Sequence, residues 1–330
     1  MSKDKLRILI TGAAGTIGKA LTQHYLEKEH VVCAFDNNED GLFRLGREFL
    51  PVVGHEKLKL FVGDIRDQRR LRYAFDSVDV VIHAAALKHV ELSEYNVMDC
   101  VDTNVNGTRN VVCAAIDAKV KKVIFTSSDK AVNPTSTMGV TKLLGEKIVG
   151  DGNYLVGGKG TIFASVRFGN VLDSNGSVLT IFREKMRAGE SFPITDLGMT
   201  RFYLTISDAV NLVSDAIENI DGGEIFIKNM GAASIYTLAQ AVAGKENIDY
   251  HLIGAKPGEK LYEELTTQQE AERTIEHNGI LKVLPEYKYC DQATGVPSNL
   301  ENTFTCGKAL SSEEVNLDWK QLRKLLERVR

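Results

Sequence analysis

Residues 7–21 read RILITGAAGTIGKAL. A short apolar run meets a glycine-rich turn and then a segment of helical spacing, and that succession decides the fold. Gly12, Gly15 and Gly18 fall where a strand hands over to a helix. A tight turn, a close approach of backbone to a pyrophosphate, and close packing of helix on strand each call for a residue without a side chain. The first helical turn, Thr16, Ile17 and Gly18, then offers the positive end of the helix dipole to phosphates. An ordinary glycine-rich turn is the competing reading, and the surrounding pattern weighs against it.

Working outward, further apolar runs follow: VVCAF (31–35), KLKLFV (57–62), DVVIHA (79–84), KVIFTS (122–127) and TIFASVRF (161–168), separated by segments of helical period. Runs this continuous suit strands covered on both faces, so the expected fold is α/β, a Rossmann-type doubly wound parallel sheet. Its ligands are expected at the carboxyl edge of the strands. Asp36 ends the second run, where a carboxylate can accept from the ribose hydroxyls of adenosine and would repel a 2'-phosphate. The expected cofactor is therefore NAD rather than NADP. Asp64, in FVGDIRD, can reach an adenine edge or cap its own loop, and sequence leaves both open. GAAGTIGK lacks the GxxxxGK[ST] spacing of a nucleotide-hydrolysing loop.

The 330 residues suffice for a large domain and a smaller one. We expect the dinucleotide domain over 1–170, with a soft boundary, and a smaller C-terminal α/β substrate-binding lobe over 171–330, some of whose later segments return to the first domain. Forty Lys and Arg against 44 Asp and Glu, a net charge of -4, leave no basic footprint for nucleic acid. No apolar stretch is long enough to span a membrane. Cys33, Cys100, Cys113, Cys290 and Cys306 form an odd set without metal spacing, read as reduced thiols in a cytoplasmic protein. His83 and His89 lack further ligands at suitable spacing, so no metal is expected. Asn104 reads as a structural hydrogen-bonding residue. The apolar faces of 96–118 and 137–149 suit either core burial or a homodimer or higher homo-oligomer. The tail SSEEVNLDWKQLRKLLERVR reads as a Ser-capped amphipathic helix docked on the lobe.

The motifs GAAGTIG, DNNE (36–39), GDIRD (63–67), HAAALKHV (83–90), TNVNGTRNV (103–111), SSDKAVNP (127–134), MGVTK (138–142), RFGNVLDSNGSV (167–178), MTRFYLT (199–205) and PGEKLYEEL (257–265), in that order, resemble the extended short-chain dehydrogenase/reductase family. More narrowly they resemble the UDP-N-acetylglucosamine 4,6-dehydratases of bacterial glycan biosynthesis. The resemblance implies NAD held by the glycine turn, Asp36, Asp64, Ile65, Ala84 and Lys142, and a nucleotide-sugar substrate, UDP- or GDP-linked. It implies a substrate site of Lys88, Asn170, Ser177, Val178, Arg201, Lys256 and Glu259, with Asn170, Arg201 and Lys256 as a diphosphate clamp and Glu259 on the nucleotide ribose. Two departures stand out: SSDK replaces STDK, and Lys256 replaces an arginine, losing a bidentate contact. Members of this group that carry an N-terminal membrane region have a segment with no counterpart here, so a soluble form is expected.

The resemblance implies an internal redox loop: oxidation at C4, proton loss at C5, loss of water from C6, and return of hydrogen to C6. Asp129 and Lys130 fit the acid and the base, in a neutral form that substrate closure would favour. The branch that inverts C5 keeps a tyrosine four residues before Lys142. This chain has Met138 there, which places it with the retaining branch. Ser128 is then the expected contact of the C4 hydroxyl, relaying its proton. A 4-epimerase and a non-catalytic NAD-binding sensor are the alternatives. The first has no need of the Asp–Lys pair, and the second predicts no selection for one.

Overall fold

A computed structural model describes residues 5–156, 160–174, 176–277, 279–286 and 307–328. Cys290 and Cys306 lie outside them. The main sheet begins with six parallel strands: β1 (Arg7–Thr11), β2 (Val31–Asp36), β3 (Leu58–Val62), β4 (Val80–His83), β5 (Lys122–Thr126) and β6 (Ile162–Arg167). A short β7 (Asn170–Val171), β8 (Phe192–Ile194) and β9 (Thr200–Leu204) follow. The chain then returns with β10 (Ile225–Lys228), passes through β11 (Gly231–Ser234) and β12 (Tyr250–Leu252), and ends its sheet pairing in β13 (Thr274–His277) and β14 (Ile280–Val283). Strand order in the nine-stranded sheet is β13-β14-β10-β6-β5-β4-β1-β2-β3. The order reverses between β1 and β4, which opens a crevice at their carboxyl ends.

Alternation along each strand serves both faces. Ile8 and Ile10 of β1 and Ile124 of β5 enter one core, while Leu9, Val123 and Phe125 enter the other. That is why the central runs of β1 and β5 carry no polar interruption, whereas the edge strand β3 includes Lys59 and leaves Leu60 and Val62 exposed. The strands 225–228, 274–277 and 280–283 belong to this large sheet, so the segment beyond residue 171 returns to it. What remains of that segment is the β11-β9-β7 sheet, the β12-β8 pair, and a third core that includes Leu172, Phe182, Phe192, Leu238, Leu322 and Leu326.

Two expectations need correction. The terminal helix begins at Trp319, capped by Asp318 in a reciprocal box with Gln321, and not by the upstream serines. Ser311 and Ser312 instead pair with the 263–264 segment, Ser312 N donating to Glu263 O and Ser311 bridging Glu264. The expected helix over 96–118 is broken into Val97–Cys100, a π-helical turn Val101–Asn106, and Gly107–Asp117. The wide turn points Asn104 inward, where its amide brackets Leu87, Oδ1 accepting from Leu87 N at 2.8 Å and Nδ2 donating to Leu87 O at 3.0 Å.

Candidate active site

The cofactor end is built by the glycine turn. Gly12 has φ of 70°, and a Cβ there would lie 2.7 Å from Ala85 N. A Cβ on Gly18 would lie 2.1 Å from Gly12 O. Backbone therefore packs on backbone at both ends of the turn, and Gly15 N donates to Gly12 O at 3.1 Å to close it. The helix Thr16–Glu27 has no side-chain cap and no acidic residue in its first turn. Such an end fits a pyrophosphate, which the positive end of the helix would attract.

Asp36 ties this turn to the end of β2. Its Oδ2 accepts from Ala14 N and its Oδ1 from Asn38 N, each at 2.9 Å, and each oxygen keeps a lone pair for a ribose hydroxyl. Asp64 performs the loop-capping role: Oδ1 accepts from Arg66 N at 2.8 Å, and the guanidinium grips both oxygens. Those Arg66 hydrogen bonds lower its carboxyl below the usual range. Ile65 is buried in the core against Gly107, which leaves only its backbone for a cofactor. Ala84 N donates to Thr11 O at the end of β4.

His83 is a core residue held between two threonines. Thr108 Oγ1 donates to Asn104 O at 2.6 Å, so His83 Nε2, 3.0 Å away, must donate to Thr108. Nδ1 then accepts from Thr11 Oγ1 at 2.7 Å, and Thr11 Oγ1 accepts from Ala85 N. One neutral tautomer thus links the loop after β4 to the π-turn, and burial lowers the imidazole to about 3. His89 heads the helix Val90–Tyr95. Among the described residues no cluster of three His, Cys, Asp or Glu side chains could hold a metal ion.

The residues expected to carry the reaction follow β5. Ser127 N donates to Val166 O at 2.7 Å, and a 3-10 turn over Asp129–Ala131 begins under the Ser128 cap. Ser128 Oγ donates to Asp129 Oδ1 at 2.8 Å, and Lys130 Nζ donates to the same oxygen at 3.0 Å. Lys130 Nζ also donates to Asn170 Oδ1 at 3.3 Å and stands 3.5 Å from Glu263 Oε1. Arg201 Nε lies 4.0 Å from that same Glu263 oxygen. The site is buried and incompletely satisfied: Asp129 is fully buried, and Ser127 Oγ, Asp129 Oδ2 and Glu263 Oε2 have no partner. Buried polar atoms without partners are costly unless a ligand completes them. Burial works against the Lys130 charge, yet Asp129 and Glu263 hold its pKa above the ordinary value. The resting state is thus an ion pair, and the neutral form awaits a change in surroundings.

Met138 is buried in the first turn of the helix Thr137–Leu155, whose Ser136 cap accepts from Gly139 N at 3.2 Å. A Cβ on Gly139 would lie 2.3 Å from Lys130 O, so this glycine lets the helix press onto the Asp129–Ala131 turn. Lys142, one turn further, is buried with Nζ donating to Thr126 O at 2.8 Å and lying 4.7 Å from the Phe125 ring centroid. Burial lowers it to about 8, with Glu146 opposing.

Of the residues expected to bind substrate, Asn170 and Arg201 join the Lys130–Glu263 group, and Arg201 is fixed by donating to Thr200 O at 2.7 Å. Lys256 pairs instead with Glu91 at 2.8 Å, and its backbone N–H donates to Glu259 at 3.0 Å. Lys88 is exposed on the loop that Asn104 braces. Ser177 caps the helix Val178–Ala188 by position only, its hydroxyl buried without a partner. Glu263 was missed in sequence because three glutamates crowd PGEKLYEEL and nothing there separates the buried one from its neighbours.

A family model described as "Polysaccharide biosynthesis protein" matches residues 8–285. The chain belongs to that family. Among relatives, it is 39% identical to a UDP-N-acetylglucosamine 4,6-dehydratase (inverting) of Campylobacter jejuni, with 88% of this chain and 86% of the relative covered. It is 35% identical to a UDP-glucose 4-epimerase of Rickettsia typhi, with 84% and 82% covered. Among solved structures, Pen from Bacillus thuringiensis superposes with a TM-score of 0.88 at 36% identity, covering 99% of this chain and all of that one. The dTDP-glucose 4,6-dehydratase DesIV from Streptomyces venezuelae, solved with NAD bound, superposes with a TM-score of 0.68 at 21% identity, covering 78% and 87%, and shares the fold.

Proposed function

We propose that this protein is an NAD-dependent nucleotide-sugar 4,6-dehydratase that acts on UDP-N-acetylglucosamine, or a GDP-linked equivalent, and retains the configuration at C5. The observation that carries the reading is the Asp129–Lys130 pair, 3.0 Å apart beside a buried Met138, with one carboxylate oxygen left unpaired. NAD, when bound, stores the hydrogen and electron pair removed from C4 and gives them back at C6. The chain's own residues do the rest. Ser128 contacts the C4 hydroxyl and passes its proton to Asp129. Lys130 removes the C5 proton, and Asp129 protonates the departing oxygen of C6. Lys142 holds the nicotinamide ribose, and Asn170 and Arg201 bind the sugar diphosphate from the lobe.

Retention follows if a single base serves C5, since it delivers a proton to the face from which it took one, and the other hydrogens on the amine, exchanged with solvent, can be the ones delivered. The Campylobacter relative is named as inverting, and the present reading departs from it on Met138, whose thioether offers no proton. A 4-epimerase is the second reading, favoured by the Rickettsia relative, but it leaves the Asp–Lys pair without a task. A homodimer suits the exposed Tyr95, Met98, Val140 and Leu144 on neighbouring helices, and free Cys33, Cys100 and Cys113 suit a reducing cytoplasm.

The test is incubation with UDP-N-acetylglucosamine in deuterated water, followed by NMR. A 4-keto-6-deoxy product of gluco configuration, labelled at C5, is expected. An unlabelled C4 epimer would select the epimerase, an inverted C5 would remove the retention claim, and no turnover of any nucleotide sugar would leave a binding protein.

A further inference from the structure

We infer that Glu263 is a working member of the reaction centre, holding Lys130's surplus proton while the amine acts as base. The inference rests on the dehydratase reading above. A site without the phenol must place two protons: the one lost from the C4 hydroxyl, and the one that Lys130 must shed before it can attack C5. The hydrogen-bonded run Ser128 Oγ, Asp129 Oδ1, Lys130 Nζ ends 3.5 Å away on Glu263 Oε1. Glu263 is 2% exposed, and its other oxygen has no partner. Its backbone is pinned, N–H donating to Ser312 Oγ at 2.9 Å and C=O accepting from Ser312 N. The charged groups facing it are Lys130 and Asp129 on the 3-10 turn, Arg201 on β9 and Lys260 on its own loop. Burial raises its carboxyl above the ordinary range, which suits a group that takes a proton and gives it back.

The proton balance closes. At rest Asp129 and Glu263 are carboxylates and Lys130 is an ammonium. As C4 is oxidised, the O4–H bond breaks and its proton moves to Ser128 Oγ while the serine's own proton moves to Asp129 Oδ1. Lys130, now facing a neutral Asp129, passes one N–H proton to Glu263 Oε1 and becomes an amine. The amine takes the C5 proton, the C5–H electron pair forms the C5–C6 double bond, and the C6–O bond breaks as its oxygen takes the Asp129 proton and leaves as water. When the stored hydrogen and electron pair return to C6, the double-bond electrons take a proton from the Lys130 ammonium at C5. Glu263 then returns its proton to Lys130, and every group stands as it began.

Glu263→Gln keeps the size and hydrogen-bonding reach of the side chain and cannot take up a proton. Wild type, Glu263→Gln and Glu263→Asp are compared for product formation across pH and for NAD affinity by calorimetry. Water loss should fall at least ~100-fold in the Gln variant with NAD affinity kept, and recover in part in the Asp variant. Because Glu263 must be ionised to accept, the wild-type rate should fall as pH drops through its raised pKa, and the Gln variant should lose that acid limb. A Gln variant that stays within about threefold of wild type with the acid limb intact overturns the assignment alone. Loss of NAD affinity together with turnover makes Glu263 a packing residue and overturns it too. A wild type that makes no dehydrated sugar overturns the dehydratase reading, and this inference with it.

Discussion

Two glycines of the first turn, three residues apart, should respond very differently to one added methyl group. A Cβ on Gly18 would meet Gly12 O at 2.1 Å, Ala13 Cα at 2.6 Å and Gly12 C at 2.8 Å, all backbone. The closest of these is about 1.3 Å short of ordinary van der Waals contact at 3.4 Å. No rotamer change can relieve it, so either the helix start or the Gly12 carbonyl must move. Moving the carbonyl breaks the Gly15–Gly12 hydrogen bond and shifts Ala14 off Asp36. Overpacking of this kind costs about 1–3 kcal/mol, and if that cost falls on the bound geometry, NAD affinity drops roughly fivefold to 150-fold. The matched control is Gly15→Ala, whose Cβ would lie 3.3 Å from Gly12 O with no other close atom, so a few tenths of an ångström suffice. Calorimetric titration of NAD into both variants is the assay. If Gly18→Ala binds within about threefold of wild type, or if Gly15→Ala proves the weaker of the two, this account of the turn is wrong.

Other expectations can be checked on the same purified protein. Arg167→Met leaves Glu146 and Glu270 buried without the guanidinium that both grip at 2.6–2.9 Å, and should cost ~3–5 kcal/mol in urea unfolding; a loss under ~1 kcal/mol would refute the triad's role. Lys130→Met should slow water loss by more than ~100-fold while NAD still binds, and activity within tenfold of wild type would place the base elsewhere. Lys142 sits at about 8 when folded, against 10.5 ordinarily. Between those values the unfolded chain binds the proton that the folded chain has lost, so stability should rise with pH, by up to about 1.4 kcal/mol per unit. Lys142→Met should flatten that rise in denaturation curves taken at several pH values, and an unchanged slope would show that Nζ is not desolvated as described.

Much of the dinucleotide half was legible because its signals are local. RILIT followed by a glycine trio carries its own geometry, and continuous apolar runs identify strands covered on both faces. Asp129 and Lys130 are adjacent in sequence, so their pairing needed no tertiary knowledge. What escaped were contacts made by topology. Arg167 reads as part of RFGNV, yet its guanidinium joins Glu146 and Glu270, whose positions only the sheet and the returning segment bring together. Asn104 looks helical in TNVNGTRNV, and nothing in those letters announces a π-turn that aims it at Leu87. Serines are good caps in general and so draw the expected start of the terminal helix upstream; Asp318 prevails because Gln321 stands three residues on to answer it.

Residues 263–270 are tethered at both extremities, Glu263 by Ser312 and Glu270 by Arg167. Eight residues strung between two fixed posts have no slack to surrender and no room to bulge without dragging one anchorage or the other. Indels should therefore be unwelcome in this stretch, while substitutions at its solvent-facing positions pass unnoticed. Its length, more than its lettering, would be the trait that a lineage of such proteins is bound to keep.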